Sequence, residues 1–83
     1  MQIGIVCVKV KVIDAQREFV MYVPDSLSNA LIEVRRNLAK EGIKSNRHII
    51  IINGKSLSLA SNKPESKIVS NDVITFVPVV LGG

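Results

Sequence analysis

The sequence predicts a two-layer α+β domain, a mixed β-sheet with one main helix packed on one face. Three patterns carry that prediction. Residues 3–12 alternate with period two, which marks a strand. Leu27, Ala30, Leu31, Val34 and Leu38 recur at helical spacing on one stripe. Four isoleucines, Ile49 to Ile52, run into Asn53-Gly54, the strongest short hairpin signal.

The elements follow in order. Along residues 3–12, Gly4, Val6, Val8, Val10 and Val12 fall on the side expected to meet the core. Ile3, Ile5, Cys7, Lys9 and Lys11 fall opposite, turning from apolar to lysine along the strand. Asp14-Ala15-Gln16 is a short link, so the next run, residues 17–23, should pair back antiparallel. There Phe19, Met21 and Val23 point to the core, with Glu18, Val20 and Tyr22 opposite. Pro24-Asp25-Ser26 closes that strand and opens the helix. Asp25, Ser26 or Ser28 could cap it by accepting from free backbone amides. Glu33, Arg35, Arg36, Asn37 and Lys40 lie mostly on the solvated side, and Arg35-Arg36 could instead meet an acidic partner. Gly42 stands where a left-handed C′ residue belongs, which would fold Ile43 back onto Leu38.

Residues 44–47 form a polar link into a strand over residues 48–52. After Asn53-Gly54, residues 55–59 return as a short strand, and residues 60–67 are a loop rich in Ser, Asn and Pro. Asn71-Asp72 turns the chain into the final strand, whose Val73-Ile74-Thr75-Phe76-Val77 is β-branched and aromatic. A right-handed crossover would lay that strand parallel beside the first, in the centre of the sheet. Pro78 has no N–H for a ladder, so regular pairing should fade there. A flexible tail is expected over residues 78–83.

Composition narrows the function classes. Eighty-three residues, 47% of them hydrophobic, make one domain with one core. A single cysteine excludes an internal disulfide and leaves no Cys/His metal cluster. No signal peptide and no membrane-length apolar run appear, so a cytoplasmic protein without a membrane partner is expected. The net charge of +4 is spread along the chain, and only three aromatics accompany it. Nucleic-acid readers gather basic residues on one face, often with stacking platforms, so no nucleic-acid partner is expected.

Hairpin, helix, hairpin, loop and strand, ending on Gly82-Gly83, resembles the ubiquitin-like β-grasp proteins over nearly the whole chain. The residues that carry the resemblance are Asn53-Gly54, Asn71 to Phe76, and the terminal run. Among these proteins the tail looks most like the sulfur carriers, especially the small subunit of molybdopterin synthase. Those finish on an aromatic, two prolines, a valine, a small residue and Gly-Gly. Counting back from Gly83, Pro78 matches the first proline and Val80 the valine. Val79 stands for the second proline, Val77 for the aromatic and Leu81 for the small residue. Ubiquitin has arginines before its glycines, and this tail has none.

The resemblance implies a carrier that is not itself an enzyme. An E1-like adenylating partner would use ATP to activate the Gly83 carboxylate. Sulfur would then be loaded there as a thiocarboxylate for molybdopterin biosynthesis or a related thiolation pathway, with no cofactor or metal bound by this chain. The partners implied are that enzyme and either the large subunit of molybdopterin synthase or target proteins. Pro78, Val79, Val80, Leu81 and Gly82 would form the tail that enters a partner. Six extended residues reach roughly 20 Å at about 3.3–3.6 Å each, and Gly82-Gly83, lacking Cβ atoms, can pass a narrow channel. If the native chain ends at Gly83, its carboxylate would be presented without proteolysis. Two other readings stand beside this one: a protein modifier joined to lysines through Gly83, and a β-grasp binding module whose Gly-Gly is incidental.

Nothing else in the chain supplies catalytic chemistry. Cys7 lies mid-strand as a packing residue, with a redox role the alternative. His48 opens a strand and reads as surface or structural. A solvated rear face should alternate to polar, yet Ile5, Cys7, Val20, Tyr22 and the isoleucine run keep it apolar. That face, with Ile5, Val20 and Tyr22, is a candidate docking surface, the alternative being a merely apolar surface or a homodimer contact.

Overall fold

The computed structural model describes residues 4–56 and 67–79. In chain order they form β1 (Ile5–Val12), β2 (Arg17–Pro24), α1 (Leu27–Lys40), β3 (His48–Ile52), β4 (Lys55–Ser56) and β5 (Val73–Pro78). The sheet has the order β2-β1-β5-β3-β4. β5 lies parallel to β1, with Val12 opposite Phe76, and antiparallel to β3, with Ile50 opposite Phe76. The other two pairings are antiparallel hairpins. The expected mixed sheet and central final strand are both present.

The core lies between the sheet and α1. Val8, Val10 and Val12 of β1, Val23 of β2, and Ile74 and Phe76 of β5 meet Ala30, Val34 and Leu38 of α1, all buried. Leu31, Ile43 and Phe19 pack at its margin. The helix ends as its sequence requires. Gly42 takes φ +80°, its N–H donates to Ala39 O, and Ile43 N–H donates back to Leu38 O. This is the Schellman pattern, which satisfies carbonyls that have no partner within the helix.

The other end of the helix departs from expectation. Ser26 is the N-cap residue, but no side-chain hydrogen bond caps the first turn. Its Oγ instead lies 3.4 Å from the Ser28 hydroxyl. The segment is held by backbone pairing, with Ser26 bridged antiparallel to Lys67. Ile68 N–H donates to Asp25 O at 2.8 Å, and this seats Ile68 in the core, 4% exposed. At the amino end, β1 begins at Ile5 with Gly4 exposed, and Ile3 lies outside the described residues. The rest of the expected return strand beyond Ser56, and most of the 60–67 loop, also lie outside them.

The β3–β4 turn places Asn53 at φ 51° and Gly54 at φ 86°, the double left-handed turn that Asn-Gly favours. Asn53 has a second task that its turn position does not reveal. Its Oδ1 accepts from Val73 N–H at 2.9 Å, and its Nδ2 donates to Asp72 Oδ1 at 2.8 Å. Asp72 Oδ2 in turn accepts from Val69 N–H. The hairpin turn is thereby fastened to the entrance of β5. Asn53→Gly keeps the left-handed turn but removes both amide bonds, leaving two polar partners to find water. The expected loss is about 1–3 kcal/mol, with an unchanged fold, measured by denaturant unfolding; a neutral substitution would reduce Asn53 to a turn residue.

Candidate functional site

The site most exposed to test is the root of the tail. Along β5 the backbone groups alternate between its neighbours. Val73 O accepts from Asn53, and Val79 N–H donates to Arg47 O at 3.0 Å, so odd residues face β3. Asp72 O accepts from Lys9 and Phe76 O from Ile13 at 3.1 Å, so even residues face β1. Pro78 is even, and its missing N–H falls on the β1 side, just beyond the end of β1 at Val12. Proline therefore removes no rung from the β3 ladder. Pairing does not fade at Pro78. It continues past it, with Pro78 opposite His48 and Val79 bonded to Arg47. The tail expected to begin at residue 78 is thus held through Val79. Val80, Leu81, Gly82 and Gly83 lie outside the described residues.

His48, across from Pro78, has a structural place. Its side chain is only 7% exposed and meets the Phe76 ring edge-on, centroids 6.1 Å apart. Nε2 lies 3.0 and 3.1 Å from the carboxylate oxygens of Asp14 in the β1–β2 turn. An ionised carboxylate only accepts, so the Nε2–H donates. The buried Nδ1 has no hydrogen-bond partner among the described residues. Above the same ring, the Arg35 guanidinium stands 5.9 Å from the Phe76 centroid, and Nη1 donates to Ser45 O at 3.0 Å. Arg35 is therefore not part of a purely solvated pair. Arg36 is the one turned outward, bonded to Glu33 one turn back. Long-range contacts of this kind leave no signal in local spacing.

The rear face collects the expected docking residues. Ile5 is 58%, Val20 67% and Tyr22 76% exposed, and the register places Tyr22 beside Cys7 and Val20 beside Lys9. A shallow groove of about 400 Å³ lies among Cys7, Lys9, Val20, Asn71 and Val73. The isoleucine run divides cleanly: Ile50 is buried in the core, whereas Ile49, opposite Val77, is exposed at the rear. The apolar surface is not continuous. Lys9, Lys11 and Glu18 cross its middle, with Lys9 Nζ 3.8 Å from Glu18. One apolar patch lies around Ile5, Tyr22 and Val20, the other around Ile49 and Val77.

Cys7 is a free, half-buried thiol within that strand. Among the described residues no cluster of three metal-ligating side chains occurs, and no helix is long and apolar enough to cross a membrane. No protein-family model matches this chain, and no curated protein matches it.

The His48–Asp14 contact gives stability an acid limb. The hydrogen bond from His48 holds the Asp14 carboxyl below its ordinary value of 3.8, its charge helping and partial desolvation opposing. A depressed folded-state value means the contact stabilises fully above 3.8 and is lost as pH falls through the lower folded value. Asp14→Asn should lower the melting temperature above that value, and the gap from the parent should close in stronger acid. A gap of constant size across the same pH range would show that the carboxylate is not the source.

Proposed function

We propose that this chain is a β-grasp sulfur carrier whose terminal glycine carboxylate is activated by an E1-like adenylating enzyme. The observation that carries the reading is the seat of the tail. β5 occupies the centre of the sheet, and it is paired through Val79 at the rim. Whatever follows Val79 leaves from a fixed, rigid root, which reduces the conformational freedom lost on entering a partner. The strand order and the parallel β1–β5 pair support the β-grasp reading. The Val80-Leu81-Gly82-Gly83 sequence, without preceding arginines, supports a sulfur carrier over a ubiquitin-type modifier.

The chemistry follows from a carboxylate that is a poor electrophile. Attack of the Gly83 carboxylate on the α-phosphate of ATP, with release of pyrophosphate, makes a mixed anhydride. A sulfide nucleophile then displaces AMP and leaves a thiocarboxylate, which the large subunit of a molybdopterin synthase or a related thiolating enzyme consumes. Catalytic groups belong to those partners. The apolar patch around Ile5 and Tyr22, at the end of the sheet away from Val79, gives the adenylating enzyme a second surface to grip.

Intact mass of the protein isolated from its native host tests the reading directly. A mass increase equal to one oxygen replaced by sulfur, abolished by deletion of Gly82-Gly83, is the expected result. Ladders of conjugates on other proteins would favour a modifier, and full function without the two glycines would favour a binding module. Ile5→Asp places a charge on the exposed patch and should weaken binding to the adenylating enzyme about tenfold or more, with the melting temperature little changed. Unaltered affinity in a titration would remove the rear face from the interface.

A further inference from the structure

β2 forms one rim of the sheet, and among the described residues its only strand neighbour is β1. The direction of its backbone groups follows from β1. Odd residues of β1 face β5: Lys9 N–H donates to Asp72 O, and Cys7 O accepts from Asn71 N–H. Even residues of β1 therefore face β2, where their register partners are Arg17, Phe19, Met21 and Val23. The N–H and C=O groups of Glu18, Val20 and Tyr22 consequently point away from the sheet in one row. Edge strands are commonly protected by lysine, proline or a bulge. β2 has the charged Arg17 and Glu18 at one end and Pro24 at the other, and Phe19 to Val23 between them carry no charge, proline or bulge.

We propose that this edge is a homodimer seam, in which two copies pair β2 antiparallel about a two-fold axis through Val20. In that register Val20 faces Val20 of the second copy, and Glu18 faces Tyr22 on either side of the axis. All three outward residues then form hydrogen-bonded pairs, two bonds to each pair. The occupant is a second copy because the edge is complementary to itself. Tyr22 brings a phenol donor opposite the Glu18 carboxylate, twice. On its inner side Glu18 has Lys11 as register partner and Lys9 at 3.8 Å, so each carboxylate sits between cations and a phenol. Sliding the seam to centre on Phe19 or Met21 sets Glu18 opposite Val20 or Pro24, neither of which offers a side-chain donor. At the rear the exposed Val20 side chain meets Val20 of the second copy and Tyr22 lies diagonal to it, a gain in buried apolar surface. A single strand pair is smaller than a standard interface, so the dimer is weak, and the +4 charge on each copy makes it tighter at higher salt.

Sedimentation and amide exchange across a concentration series test the seam without any partner protein. The expected result is a monomer–dimer equilibrium in which the Glu18, Val20 and Tyr22 amides become protected as concentration rises. Val20→Pro removes one outward N–H and no β1–β2 bond, so it should weaken association about tenfold or more while the monomer stays folded. Should that variant unfold, charge exchange decides. Glu18→Lys should weaken the dimer, and Glu18→Lys with Tyr22→Glu should restore it. A monomer at every concentration, a dimer whose three amides stay unprotected, or indifference to the charge exchange would each overturn the proposal.

Discussion

The parallel pairing of β1 with β5 is the constraint under which the other elements are placed. Parallel neighbours cannot be joined by a tight turn, so the chain between Val12 and Val73 must travel around the sheet. β2 takes the outer side of β1, α1 crosses over the face, and β3 with β4 takes the far side of β5. The helix is therefore both the crossover and the cover of the core. Val8, Val10, Val12, Ile74 and Phe76 are almost wholly removed from water at this junction, where the hydrophobic gain is greatest. The same pairing decides which side of β5 tolerates Pro78.

The two ends of β5 are fastened by different means. At the entrance the Asn53 amide and Asp72 carboxylate add side-chain bonds to the main-chain bond from Asn53 N–H to Val73 O. At the exit the fastening is by main chain, from Val79 to Arg47, with the buried His48 ring and Phe76 packed inside. Strand β5 can therefore shift in register only by breaking both. For a protein proposed to present its final residues to an enzyme, that fixed seat sets the distance between the tail and the gripping surface.

Much of this was legible in the residues because local patterns agreed with one another. The valine alternation of β1, the helical stripe ending at Gly42 and the Asn53-Gly54 turn each name their own structure, and together they leave few arrangements of the sheet. Ile5, Val20 and Tyr22 were legible as an exposed apolar set for the same reason. Pro78 misled because a missing N–H matters only on a side where a partner strand lies, and that side depends on where β1 ends. Ser26 misled because a hydroxyl can turn to a neighbouring hydroxyl once backbone pairing holds the segment. The roles of Asn53, Arg35 and Ile68 depend on contacts between residues distant in sequence, for which local spacing carries no signal.

The central position of β5 has a consequence for how the protein is made. As the chain leaves the ribosome, β1, β2 and α1 emerge with the middle place of the sheet still unfilled. Hairpin β3–β4 follows, but among the described residues it joins the first half of the sheet only through a strand not yet synthesised. The gap in the middle of the sheet closes when residues 73–78 arrive, and in that step Val8, Val10 and Val12 gain Ile74 and Phe76 as core neighbours. Pairings so distant in sequence also form slowly. Seating β5 therefore joins the two halves of the sheet and makes the main-chain bond from Val79 to Arg47 in one late step.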